Sequence, residues 1–175
     1  MKAGRVVVQD ANVIVDLIEA EVLEAWLGMG FETWTTDFVV NEIQEPKQKA
    51  AILKAIENGH IHVALASEEN QRQEFDILLT LHIKWAVSIP DASVLRHAMT
   101  TGALLMTGDG RLRKAAEGEK VEFRGVLWAL DQLVAEGRLT PCVAADALER
   151  MLAAGSYLPR ALCQERLKTW KTKVR

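Results

Sequence analysis

The hydrophobic positions of this chain change rhythm repeatedly, from short continuous runs to a spacing of three or four and back again. Residues 5–9, RVVVQ, are a β-branched run that predicts a strand ending at Asp10. Over 12–27, Val13, Leu17, Val22, Leu23 and Leu27 fall on one helical face, and Gly28 and Gly30 close it. A second strand is expected over 31–35 (FETWT), then helices over 36–44 and 47–58, interrupted at Pro46 and ended by Gly59. Residues 60–66 (HIHVALA) alternate like a strand, and 67–85 and 88–101 read as helices, the latter entered through Ser88 and Pro90. The segment 103–107, ALLMT, is a buried-type strand, followed by the turn Gly108-Asp109-Gly110, a short helix over 111–117 and a last strand over 120–124. Strands alternating with helices imply an α/β fold, a three-layer α/β/α arrangement around a mostly parallel central sheet.

The remaining third is helical throughout. Val126, Leu127, Leu130, Leu133 and Val134 form one stripe, Val143, Ala147, Leu148, Met151 and Leu152 another, and a third helix is expected from near Pro159. No Ser/Gly/Pro-rich tract separates this part from the sheet. The expected organisation is a sheet-bearing unit over 1–124 and a helical C-terminal extension over 125–175 packed on the same domain. Its stripes are expected to pack on the sheet and to offer apolar surface to a homodimer or a partner.

Composition narrows the setting. With 49% hydrophobic and 26% charged residues in 175, the chain fits one soluble globular domain. It has no apolar run long enough for a membrane span, and its first residues reach a carboxylate too soon for a signal peptide, so the cytoplasm is expected. Cys142 and Cys163 lack metal-site spacing and are expected as unpaired core thiols. A net charge of −3 removes the basic field that many nucleic-acid binders use. That weighs against a pure binding module and less against an enzyme whose acids surround a cation.

In an open parallel sheet, ligands bind beyond the carboxyl ends of the strands, near the point where strand order reverses. Asp10 follows the first strand directly, Asp109 follows ALLMT after Gly108, and Asp91 opens a helix between them. Each has an ordinary explanation: Asp10 as a helix cap, Asp91 in a capping box with Ser88, Asp109 as a turn residue, and Glu42 as a solvated helix position. Together, however, carboxylates crowded at one edge must take up protons or bind a cation. Oxygen-only ligands suit Mg²⁺ or Mn²⁺, and such a centre fits phosphodiester cleavage, with the metal polarising the phosphate and acidifying a water. Asp16 and Asp37 are spare acids nearby, Asp37 being the alternative to Glu42. The histidines His60, His62, His82 and His97 fall on different elements without ligand spacing. Arg111, Arg113 and Lys114 lie where they would touch an RNA backbone, or else form a solvated helix turn. Arg166, Lys168, Lys171, Lys173 and Arg175 around Trp170 suggest either a phosphate-binding tail or a charged helix end.

Four stretches carry a family resemblance: Asp10-Ala11-Asn12 after an apolar strand, Glu42 in NEIQEP, Asp91 in SIPDASVLRHA, and Thr107-Gly108-Asp109 before the RLRKAAE stretch. This pattern resembles the PIN domain family. It is most similar to the VapC-like bacterial PIN ribonucleases with a helical C-terminal extension, in which a segment like FRGVLWALDQLV follows the last acid. The resemblance covers about residues 5–135 well and the rest more loosely. It implies a Mg²⁺- or Mn²⁺-dependent ribonuclease, often the toxin of a toxin–antitoxin pair, hence an RNA substrate and a protein antitoxin. It also implies Asp10, Glu42, Asp91 and Asp109 as the catalytic metal site, with Asn12 and Thr107 supporting it through hydrogen bonds. Two rivals remain. A phosphoryl-transfer enzyme with a nucleophilic aspartate is weakened by the lack of an adjacent acid pair or DxD after the first strand. A non-catalytic RNA-binding or regulatory module on the same fold is disfavoured by the presence of all four acids.

Overall fold

A computed structural model describes residues 5–65 and 70–172. Strand β1 (Val6–Gln9) is the centre of a five-stranded sheet with β2 (Glu32–Thr36), β3 (Ile61–Ala64), β4 (Leu104–Met106) and β5 (Phe123–Arg124) in the order β3-β2-β1-β4-β5. Every pairing is parallel, with Val8 opposite Trp34 on β2 and Leu105 on β4. The chain leaves β1 first toward β2 and later toward β4, so the strand order reverses beside β1. The carboxyl ends of β1 and β4 therefore flank the crevice where such folds bind ligands.

Helices cover both faces. Between β1 and β2 come α1 (Ala11–Glu19) and α2 (Leu23–Leu27), and between β2 and β3 come α3 (Asp37–Glu42) and α4 (Pro46–Glu57). Helices α5 (Gln71–Trp85) and α6 (Ile89–Thr101) lead to β4, and α7 (Gly110–Gly118) leads to β5. Helix α6 lies across β1, β2 and β4, and α1 gathers α2 and α4 in the opposite layer. The extension consists of α8 (Val126–Ala135), α9 (Pro141–Ala153) and α10 (Arg160–Thr172). It packs chiefly on α1 and α2 rather than on the sheet as expected. The physical reason is that the sheet face is already filled, leaving the outer sides of α1 and α2 as the apolar surface these stripes bury.

The helix expected over 12–27 is broken into α1 and α2. Glu21 turns left-handed (φ 58°), the Val22 N–H donates to Leu17 O at 3.0 Å, and the Glu21 N–H donates to Ile18 O at 2.9 Å. This is a Schellman stop at which glutamate takes the place usually held by glycine, so no residue type announced it. The start of the helix expected over 67–85 and the end of the strand over 60–66 touch residues outside the described ones. Cys163 is buried as expected, but Cys142, in the first turn of α9, is exposed and is not a core thiol. No helix among the described residues is long and apolar enough to cross a membrane.

Among the described residues, Gln9 is one of several core residues with an unpartnered polar atom, Trp26 and Thr33 being others, and the one with two. It is fully buried, and neither its amide oxygen nor its nitrogen has a partner among the described residues. A buried polar group without a partner costs about 1–3 kcal/mol. Gln9→Met, similar in length and apolar, is accordingly expected to raise stability by about 1–2 kcal/mol in urea unfolding. A loss of stability would mean that the amide is satisfied in solution.

Candidate metal centre

Asp10 stands where β1 becomes α1, only 2% exposed, its backbone N–H extending the ladder to Met106 O at 3.0 Å. Its carboxylate accepts three hydrogen bonds. Oδ1 takes the Ala11 N–H at 2.7 Å, and Oδ2 takes Asn12 Nδ2 at 2.7 Å and Thr107 Oγ1 at 2.8 Å. Asn12 Oδ1 in turn accepts the Gly108 N–H at 2.8 Å, and Thr107 Oγ1 accepts the Asp109 N–H at 3.0 Å. The two residues expected to support the site thus bind the ends of β1 and β4 into one network. Gly108 favours this closeness, because a Cβ there would lie 3.2 Å from Asn12 Oδ1, tighter than an ordinary contact.

Three donors aimed at one carboxyl group favour its charged form. Nevertheless Asp10 is pushed up from about 3.8 to about 7, first by burial, then by the charge of Asp91 and, less, of Glu42, against the Thr107 and Ala11 hydrogen bonds. Glu42 closes α3 at the surface, and its carboxyl is also raised by partial loss of solvent and by Asp91. Asp91 sits in the first turn of α6, where its Oδ2 accepts the Ser88 N–H at 3.0 Å and Ser88 Oγ accepts the Asp91 N–H at 3.1 Å. Its capping role and its place among the acids therefore coexist. The structure brings Asp10, Glu42 and Asp91 within electrostatic reach of one another.

Asp109 follows the end of β4, but its Oδ1 caps α7 through the Arg111 and Leu112 N–H groups, both at 2.8 Å. Both bonds use the same oxygen, Oδ1. Among the described residues no three His, Cys, Asp or Glu side chains stand close enough to hold an ion directly. The donor set nonetheless suits a hard cation that keeps several waters and takes few carboxylates, and a cation would neutralise the repulsion on Asp10.

Other contacts position these acids without any strong signal in the sequence. Thr36, the cap of α3, meets Ser93 Oγ at 2.7 Å, and Ser93 donates to Pro90 O at 2.6 Å, joining the start of α3 to the first turn of α6. Lys49 Nζ donates to Val40 O near the end of α3. Asp37 holds the Phe38 N–H at 2.9 Å, and Asp16 accepts a hydrogen bond from Ser156 of the extension. Of the basic residues, Arg111 and Lys114 are exposed, whereas the Arg113 guanidinium is committed to Thr107 O. In the tail, Arg166 pairs with Asp131, Lys171 with Glu149, and Trp170 is buried, which favours a structural helix end; Lys173 and Arg175 lie outside the described residues. His62 and His97 flank Trp34, His82 meets Val87 O and His60 is exposed, and among the described residues no histidine joins two acids in one group.

A doubly wound α/β domain with carboxylates at its switch point is the class that fold and site define. A family model described as a PIN domain matches residues 6–172, and the chain belongs to the PIN domain family, whose members are in general nucleases. The match runs through the helical extension. The crystal structure of PAE2754 from Pyrobaculum aerophilum superposes with a TM-score of 0.52 at 18% identity, over 77% of this chain and 99% of that one, and so shares the fold. No curated protein matches the chain significantly.

Proposed function

We propose that this protein is a Mg²⁺- or Mn²⁺-dependent endoribonuclease, with Asp10, Glu42, Asp91 and Asp109 as its metal-binding acids, and that it is the toxin of a toxin–antitoxin pair. The observation that carries the reading is Asp10. It accepts three hydrogen bonds, and it is raised first by its burial and then by two neighbouring acids. A bound Mg²⁺ or Mn²⁺ supplies Lewis-acid polarisation of the scissile phosphate and an acidified water. The chain's own part is to fix Asp10 through Asn12 and Thr107, to present Glu42 and Asp91 from the ends of two tied helices, and to offer Arg111 and Lys114 to the RNA backbone. The proposed antitoxin places an arginine against the same acids, competing with the metal through a bidentate pair. A second copy of the chain is the proposed cover for the half-exposed Val143, Leu152 and Leu162 of the extension.

Purified protein is expected to cleave mixed RNA with Mg²⁺ or Mn²⁺, to stop in chelator, and to be inhibited by excess Ca²⁺, whose looser coordination shell misplaces the reacting groups. Undiminished cleavage after exhaustive chelation would overturn the metal role. The engagement of Asp109 in the α7 cap favours a second reading, a non-catalytic RNA-binding PIN module. Metal-independent RNA binding without cleavage would establish that alternative.

A further inference from the structure

Strand β5 ends at Arg124, whose carbonyl accepts the Thr107 N–H at 2.9 Å, and at Gly125 the chain turns away as the cap of α8. The ladder stops there, so the next carbonyl on the β4 side, Thr107 O, needs a donor from elsewhere. Arg113 supplies it. One turn into α7 its side chain reaches back, and Nε and Nη2 both donate to Thr107 O, at 3.1 and 3.0 Å. The guanidinium is half-buried, 6.0 Å from the Phe123 ring centre, and runs across Gly125 so closely that a Cβ there would lie 2.4 Å from Nη2. Gly125 has an ordinary backbone conformation (φ −110°), so this space, and not backbone freedom, is what glycine provides.

The residue that Arg113 holds is the one whose hydroxyl donates to Asp10 Oδ2 and accepts the Asp109 N–H. Asp109 in turn starts α7 and thereby carries Arg113. Residues 107–113 thus form a closed clasp in which one guanidinium fixes the Thr107 backbone and the Thr107 hydroxyl fixes the Asp10 carboxylate and the Asp109 backbone.

We infer that Arg113 is a positioning residue for the acid cluster, acting through Thr107 in a slot that Gly125 keeps open, and not a contact to the RNA backbone. The inference deepens the nuclease reading and rests on it for its catalytic consequence, while the clasp itself can be measured without cleavage. Two donors of one planar fork converge on this carbonyl, a geometry that the single ammonium of lysine on its flexible stem does not reproduce.

The experiment compares Arg113→Ala, Arg113→Lys and Gly125→Ala with Arg111→Ala, which shows the pattern expected of a lost RNA contact, in the full chain. Amide exchange of Gly108 and Asp109 reports the clasp, Mn²⁺ binding by electron paramagnetic resonance reports the acids, and RNA cleavage reports the reaction. All three test variants are expected to exchange faster at Gly108 and Asp109 while α9 keeps its protection. Mn²⁺ affinity and kcat should fall about 10- to 100-fold, as when a group orienting a metal ligand is lost. KM and its salt dependence should stay within about twofold, whereas a lost phosphate contact weakens binding and flattens that dependence. Gly125→Ala combined with Arg113→Ala should be no worse than either alone, since both remove one interaction. If Arg113→Ala is too unstable to measure, Arg113→Lys and Gly125→Ala decide. Unchanged exchange with a raised KM, restored by lysine, would make Arg113 an RNA contact and overturn the inference. A wild-type protein that neither binds Mn²⁺ nor cleaves RNA would overturn the nuclease reading, and exchange at Gly108 and Asp109 would still decide the role of Arg113.

Discussion

Asp10→Ala is expected to lower RNA cleavage by on the order of a hundredfold or more, because it removes the most buried acid of the cluster and the acceptor of three hydrogen bonds. Asp10→Asn should be nearly as inactive, and the geometry explains why it is no perfect mimic. Asparagine keeps one oxygen, so either Ala11 N–H or the Asn12 and Thr107 donors must face an amide N–H. Near wild-type, metal-dependent activity in both variants would remove Asp10 from the site.

The same residue sets a pH dependence in metal-free buffer. Asp10 is raised in the folded state, from about 3.8 to about 7, so the unfolded chain gives up its proton first. Its contribution to stability is complete below about 3.8 and is lost as pH rises through about 7. The gap corresponds to roughly 4 kcal/mol at most. Asp16 and Glu42 are raised too, so their contributions have the same sign. Urea unfolding in chelator should therefore show stability declining from about pH 4 to 7, the slope should be much reduced in Asp10→Asn, and Mg²⁺ or Mn²⁺ should restore stability at pH 7.5. A flat profile in the wild-type protein would show that Asp10 titrates normally.

Which features were legible in the sequence follows from where the physics is local. The parallel sheet was readable because strands buried on both faces are continuous apolar runs, as in VVVQ and ALLMT. Asp10 was readable at a strand end, and Asn12 and Thr107 as its partners through the family resemblance. The Glu21 stop was not, because glutamate in a left-handed conformation has no sequence signature. The destination of Arg113 was equally hidden. A basic side chain just past an acid looks like a phosphate contact until the end of β5 shows a carbonyl in need of a donor. Likewise the apolar stripes of α8 and α9 announced burial but not that α1 and α2 were the surface they cover.

That covering leads to the remaining large effect: a chain ending at Arg124 is expected not to fold. Trp26 of α2 is fully buried, stacked on Phe31 at 4.8 Å and met edge-on by Trp128 of α8 at 6.0 Å. Helices α8 and α9 both lie against α1, and Arg150 of α9 donates through Nε and Nη2 to Ala20 O, the carbonyl just past α1, at 3.2 and 2.9 Å. Ser156 adds its hydrogen bond to Asp16. Removing the extension returns Trp26, Phe31 and the outer side of α1 to water. Each large side chain uncovered costs about 1.5–3 kcal/mol, so even three cost roughly 5–9 kcal/mol, comparable with the whole stability of an ordinary domain. The loss reaches the acids because α1 begins at Asp10, and an α1 without its outer cover cannot hold that carboxylate against Thr107. The shortened chain should show no cooperative urea transition, should bind a hydrophobic dye, and should be inactive on RNA. A milder probe, Trp128→Ala in the full chain, should lower stability by about 3 kcal/mol with the transition still cooperative. A shortened chain that unfolds cooperatively at the normal midpoint and cleaves RNA fully would show that residues 5–124 form the nuclease alone and that the extension serves only its partners.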